Sequence, residues 1–119
     1  MTVRRIVPNV RVESPEAMSA GREFYGLLGF EEVMNLGWIT TLASPSHPSA
    51  QISLFTEDRT GPVAPDVSIE VDDVDAVYAR VRASGAEIVR ELRDEEWGVR
   101  RFFVRDPSGL VVNVLGHRA

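Results

Sequence analysis

Apolar positions along the chain fall into short alternating runs, broken twice by longer stretches with helical spacing. Arg5 to Val12, RIVPNVRV, has the β-branched content and period of two expected of a strand. A helix is predicted after it. Ser14 can accept from exposed N–H groups at its start, Pro15 carries a φ preset for the first helical position, and Glu16 falls in the first turn. Ala20, Phe24, Leu27 and Leu28 supply an apolar stripe before Gly29 ends the helix. Phe30 to Met34, Gly37 to Ala43 and Ala50 to Phe55 read as three shorter strands, with the loop SPSHPS between the last two. The first half is therefore βαβββ.

A polar linker, TEDRTGPVAP, leads into a strand from Asp66 to Val71, where Val67, Ile69 and Val71 share one face and Asp66, Ser68 and Glu70 the other. Asp73 is the N-cap of a second helix. Val74, Val77, Tyr78 and Val81 stand at the spacing of a buried helical face, and Gly85 falls where a left-handed C-terminal residue belongs. Ala86 to Val89 predicts a strand and ELRDEE a charged connection. Two strands then follow, Arg100 to Arg105 and Leu110 to Leu115, joined by Asp106-Pro107-Ser108-Gly109, whose residue types suit successive positions of a type I turn. In the last strand Leu110, Val112 and Val114 share one face and Val111, Asn113 and Leu115 the other. Asn113 is the exception there, an amide among apolar neighbours that must be satisfied inside a core or face a polar surface.

The second half is βαβββ again. An offset of roughly 56 to 62 residues lays LLGFEEV over ASGAEIV, SPSHPS over the DPSG turn and ISLF over VNVL, the signature of an internal repeat. The chain of 119 residues is predicted to form one domain, with a first module at about 4–56 and a second at about 66–116.

Composition narrows the function classes. A net charge of −5 with no Lys/Arg-rich arm argues against nucleic acid as a partner. The absence of cysteine removes disulfides and thiolate chemistry and fits a reducing compartment. No run approaches the roughly 18 apolar residues of a membrane span, and the start MTVRRIVPNV lacks a signal-peptide core, so no membrane partner and a cytoplasmic location are expected. Gly-rich phosphate loops and nucleophile elbows are also missing.

FYGLLGF after a first strand, then SIEVDDVDAVYARVRASGAEI, then WGVRRFFVRDPSGLVVNVL, together resemble the vicinal oxygen chelate superfamily of glyoxalases, bleomycin-resistance proteins and extradiol dioxygenases. The resemblance implies an α+β fold of two paired βαβββ modules. Their strands would form a curved mixed sheet around an open groove, with the helices on the convex side and a homodimer as the assembly. It also implies four inward-pointing metal-ligand positions in the metal-using members, and these fall on Val7, Ser53, Asp66 and Asn113. Only Asp66 is a good ligand. Val7 cannot bind a metal, and Ser53 and Asn113 are weak neutral donors, so neither a metal nor another cofactor is expected. The two histidines do not rescue a site, because His47 lies in the SPSHPS loop and His117 is placed beyond the last strand, both as solvated residues.

Strand alternation aims Val7, Asn9, Arg11, Gln51, Ser53, Phe55, Asp66, Ser68, Glu70, Val111, Asn113 and Leu115 at the concave side. Candidate ligand-binding residues are therefore Asn9, Arg11, Gln51, Ser53, Phe55, Asp66, Ser68 and Asn113, with Trp38, Trp97, Phe103 and Arg101 as wall residues and Tyr25 as a core aromatic. Arg100, Arg101 and Arg105 are read as a solvated edge or as partners of the acidic run at 94–96. The expected function is metal-free binding of a small, partly aromatic molecule, of the glyoxalase/bleomycin-resistance type. The alternative is a lyase or dioxygenase of the same superfamily, metal-dependent or with Asp66 or Glu70 as catalytic general base.

Overall fold

The computed structural model describes residues 2–58, 61 and 63–117; of the linker TEDRTGPVAP, Arg59, Thr60 and Pro62 lie outside the described residues. The element order is β1 (Val3–Arg11), α1 (Pro15–Leu27), β2 (Glu31–Asn35), β3 (Ile39–Ala43), β4 (Gln51–Phe55), β5 (Val67–Val71), α2 (Val74–Ala83), β6 (Ile88–Asp94), β7 (Val99–Arg105) and β8 (Val111–His117). This is βαβββ twice over, an α+β fold. The chain divides into two compact units, residues 7–64 and residues 65–119 together with 1–6, so β1 contributes to both.

In the unit of residues 7–64 the strands are hydrogen-bonded in the order β2-β3-β4-β1. β1 runs parallel to β4, with Asn9 opposite Ser53 and Arg11 opposite Phe55, while β2, β3 and β4 are antiparallel neighbours. Helix α1 begins as predicted, the Ser14 Oγ accepting from the Ala17 N–H at 3.0 Å. Its buried face is not the predicted one. Met18 is the buried residue of the helix and packs with Leu42, Leu54 and the half-buried Tyr25. A Cβ on Gly21 would stand 2.7 Å from Leu54 Cδ1, so this glycine lets the helix lie close on β4. Met18, Gly21 and Tyr25 follow helical spacing, and turning that row inward turns the predicted stripe outward. Phe24, Leu27 and Leu28 are 57%, 86% and 64% exposed. Leu27→Gln should therefore change unfolding free energy by no more than about 0.5 kcal/mol, measured by urea denaturation.

The second unit has the order β1-β5-β8-β7-β6. β5 runs parallel to β8, and β8, β7 and β6 are antiparallel neighbours. Asp73 caps α2 by accepting from the Ala76 N–H. The predicted face of that helix is buried as expected: Val74, Val77, Tyr78 and Val81 pack on Val71, Phe102, Val104 and Val114. Strand boundaries differ from those expected, most of all at β6 and β8. ELRDEE is not a connection, since β6 continues through Asp94 while bulges shift its register between Ile88 and Arg90 and between Arg90 and Arg93. The last strand begins at Val111 rather than Leu110, and it includes His117, which was placed beyond it.

The hairpin turn forms as its residue types require. Asp106 Oδ1 accepts from the N–H groups of Ser108 and Leu110 and from the Ser108 hydroxyl, while Gly109 takes a φ of 98°. Those donors, the Ser108 hydroxyl foremost, hold the Asp106 carboxyl below its ordinary value. With the folded value the lower one, this contribution is present above the unfolded value of about 4 and is lost as pH falls through the folded value. Asp106→Ala should accordingly flatten the loss of stability on acidification below about pH 4, followed by urea midpoints at several pH values.

Candidate functional site

In the second unit, alternation along β7 sends Phe102 and Val104 to the α2 side and Arg101 and Phe103 to the opposite face. On β8 the same rule separates Val112 and Val114 from Val111, Asn113 and Leu115. Register then assembles side chains into rows. Ser68, Asn113, Phe103 and Arg90 are successive partners across β5, β8, β7 and β6. Glu70, Leu115, Arg101 and Arg93 form the next row. Arg90 reaches this face because a bulge sets it opposite Phe103, whereas regular alternation from Ile88 would have turned it to the helix.

Glu95 is the centre of this face. It sits in the turn after β6, where its N–H donates to the Val99 carbonyl and its carbonyl accepts from the Gly98 N–H. The carboxylate is only 5% exposed, with the Arg90 Nη2 at 2.9 Å and the Arg101 Nε at 3.2 Å from Oε1. Arg93, largely exposed, stands 3.8 Å away. The Arg101 guanidinium also lies over the rings of Phe103 and Trp97, 4.7 and 5.2 Å from their centroids, and that of Arg90 lies 5.6 Å from the Phe103 centroid. Planar guanidiniums held edge-on by one carboxylate present their faces to rings. Arg101 does pair within the acidic run, but it is buried and not part of a solvated edge; Arg100 pairs with Asp94 and Asp75, and Arg105 with Glu87, nearer the surface. Glu95 enters the sequence reading only as one of the acidic run at 94–96 offered to Arg101, and Arg90 does not enter it at all. Their signal was the alternation Val99, Arg101, Phe103, which already put a charged group in an apolar row and so required an anion.

Asn113 is 7% exposed, and its Nδ2 donates to Ser68 Oγ at 3.0 Å. Its Oδ1 is buried without a hydrogen-bond partner among the described residues. A buried acceptor left in that state costs about 1–3 kcal/mol. Glu70, one row away, is ion-paired with Arg5, and its other oxygen lies 3.7 Å from His117 Nε2. His117 remains exposed, as does His47 in its loop. Asp66 is exposed and lies just before β5, where its Oδ2 accepts from the Val111 N–H at 2.8 Å.

The remaining candidates belong to residues 7–64. Asn9, Ser53 and Thr41 are register partners, and the Thr41 and Ser53 hydroxyls share a buried hydrogen bond of 2.7 Å. Val7 is buried, Phe55 is buried beside an exposed Arg11, and Gln51 donates to the Pro48 carbonyl. Trp38 is half-buried just before β3, its carbonyl accepting from the Thr56 N–H.

These donors do not fit a divalent cation. Val7 offers no lone pair, the Ser53 hydroxyl is engaged with Thr41, and Asp66 commits an oxygen to Val111. Asn113 contributes one neutral amide. Among the described residues no group of three or more His, Cys, Asp or Glu is placed to hold a metal ion.

Repeated βαβββ units, each with one helix packed on its own strands and a polar row among apolar neighbours, define a class that sequence comparison identifies. The pattern of the Glyoxalase/Bleomycin resistance protein/Dioxygenase superfamily matches residues 16–114, and the chain belongs to that superfamily. No curated protein matches it significantly. Among solved structures, NAD-dependent benzaldehyde dehydrogenase from Legionella pneumophila is similar, with a TM-score of 0.72 at 15% identity over 95% of this chain and 99% of that one. A superfamily member from Vibrio splendidus 12B01 gives 0.67 at 20% identity over 97% and 99% of the two chains. Methylmalonyl-CoA epimerase from Mycobacterium tuberculosis gives 0.66 at 22% identity over 98% of this chain and 88% of that one. At such identities the likeness is one of fold. Among the described residues no helix is long and apolar enough to cross a membrane.

Proposed function

We propose that the protein binds a small, partly aromatic molecule without a metal, as a homodimer of the bleomycin-resistance kind. The observation that carries this reading is the donor set. At the positions where metal-using relatives place their ligands, this chain has a methyl-bearing side chain, a hydroxyl already engaged, an exposed carboxylate bonded to a backbone N–H, and an amide. The face that holds the amide carries rings and stacked guanidiniums, of which Phe103 and Arg101 are buried and Trp97 keeps part of its surface exposed to meet a flat organic molecule. Binding is favoured over acid–base catalysis by the state of the two candidate bases. Glu70 is held by Arg5, and Asp66 serves the start of β5.

The test is titration with a panel of naphthalene and indole derivatives, followed through quenching of Trp38 and Trp97, with and without EDTA, Zn²⁺ and Mn²⁺. Saturable quenching by at least one compound is expected, with the same Kd under every metal condition. A panel with no saturable signal overturns the binding reading, and a Kd that tightens about tenfold or more on adding metal, about 1.4 kcal/mol, overturns its metal-free part. Equilibrium sedimentation of the purified chain tests the homodimer, a monomer mass at micromolar concentration counting against it.

A further inference from the structure

The two helices end differently. The last turn of α2 carries Arg80 and Arg82, cations that suit the negative end of a helix dipole, and its apolar row is covered by the strands beneath it. The last turn of α1 carries no basic residue. Glu23, just before that turn, is exposed and has no ion pair among the described residues, while Arg22, the one cation of the helix, is directed to Glu32 and Ser19. Beside this negative end stand Phe24, Leu27 and Leu28, each more than half exposed. With the exposed Ala20 they complete the apolar stripe that the fold turned outward: Ala20, Phe24 and Leu28 make one ridge of i, i+4 spacing, and Leu27 lies alongside it. What α2 satisfies within the chain, α1 leaves open on both counts, apolar and electrostatic.

Charge selects among the occupants that such a row can have. Between positions 11 and 32 the glutamates at 13, 16, 23, 31 and 32 stand against Arg11 and Arg22 alone. An anionic lipid surface is repelled by that excess, and a second copy of the chain brings the same excess against it. We propose that the outer row of α1 docks a helix of another protein, one whose apolar stripe is edged by Lys or Arg. The partner's apolar side chains pack between Phe24, Leu27 and Leu28, and its cations meet Glu23 and the negative end of the helix. Four side chains are far fewer than the roughly 20–30 residues a side of a stable interface, so the docking is transient. It is independent of small-molecule binding at the sheet.

Two synthetic peptides of about 18 residues, long enough to turn helical on the surface, serve as probes. One has leucine along one helical face and lysine elsewhere, and the other has glutamate in place of every lysine. Each is titrated into the ¹⁵N-labelled full chain and followed by amide shifts. The lysine peptide should shift residues 20–28 saturably, and its affinity should fall about tenfold or more in Leu27→Gln and about twofold or more in Glu23→Gln. The glutamate peptide should leave those residues unshifted. No saturable shift with the lysine peptide, shifts centred elsewhere on the chain, equal affinity for the glutamate peptide, or an affinity unchanged in either variant each overturn the proposal. Shifts of residues 20–28 that follow protein concentration alone assign the row to a second copy, and broadening of the same residues by phosphatidylglycerol vesicles assigns it to a membrane; either result overturns the proposal.

Discussion

Glu95→Ala is expected to destabilise the protein by about 3–5 kcal/mol, the range for removing one partner of a buried ion pair. The carboxylate is 5% exposed and lies within hydrogen-bonding distance of two arginines that are themselves almost wholly buried. Its loss takes away the anion common to both guanidiniums and loosens the stack on Phe103 and Trp97 that their fixed orientation maintains. Glu95→Gln keeps the volume and a hydrogen-bond acceptor and should cost less. Urea denaturation of wild type, both Glu95 variants, Arg101→Leu and the Glu95→Ala/Arg101→Leu double variant measures the coupling. An interaction energy below about 0.5 kcal/mol would mean that the two groups are not a unit.

The second large effect belongs to the other face of β7. Phe102 has no exposed surface and fills the space between the sheet and α2, its ring 4.8 Å from that of Tyr78. Phe102→Ala should cost about 3–5 kcal/mol, from lost transfer energy and the cavity left behind. The urea midpoint should fall with little change in slope, and a loss under about 1 kcal/mol would show that α2 collapses onto the gap. Neighbouring residues of one strand thus serve different ends: Phe102 holds a helix, and Arg101 and Phe103 shape the face proposed to receive a ligand.

Features carried by local chemistry were legible in the sequence. Ser14 and Asp73 cap their helices, Asp106 to Gly109 make their turn, and Asn113 falls on the face away from α2, because each depends on residues a few positions away. What failed depended on partners distant in sequence. The α1 stripe of Phe24, Leu27 and Leu28 scored as a core face because apolar spacing counts side chains. The face that packs is decided instead by Gly21, which has none and so admits Leu54 of β4. ELRDEE read as a charged connection because four of its six residues are acidic, and although its acidic run was offered to Arg101, nothing local says that Glu95 will be buried there with Arg90 as a second partner. Bulges in β6 hid Arg90 further, since a shift of register moves a side chain to the opposite face and periodicity cannot register it.

The division of β1 between the two units has a consequence for the order in which contacts can close. Thr2 exchanges hydrogen bonds with Asp72, and Arg5 reaches Glu70, across 70 and 65 residues of chain respectively. β5, which carries Glu70, is itself paired to β8, the last strand of the sequence. Both contacts therefore close only when β5 and the residue after it, 65 or more positions further along the chain, are in place. Closing loops of this length places the chain among slower folders for its size. Val3 and Ile6 stay more than half exposed even in the finished fold, so this part of β1 is held by strand pairing and these long-range contacts rather than by burial.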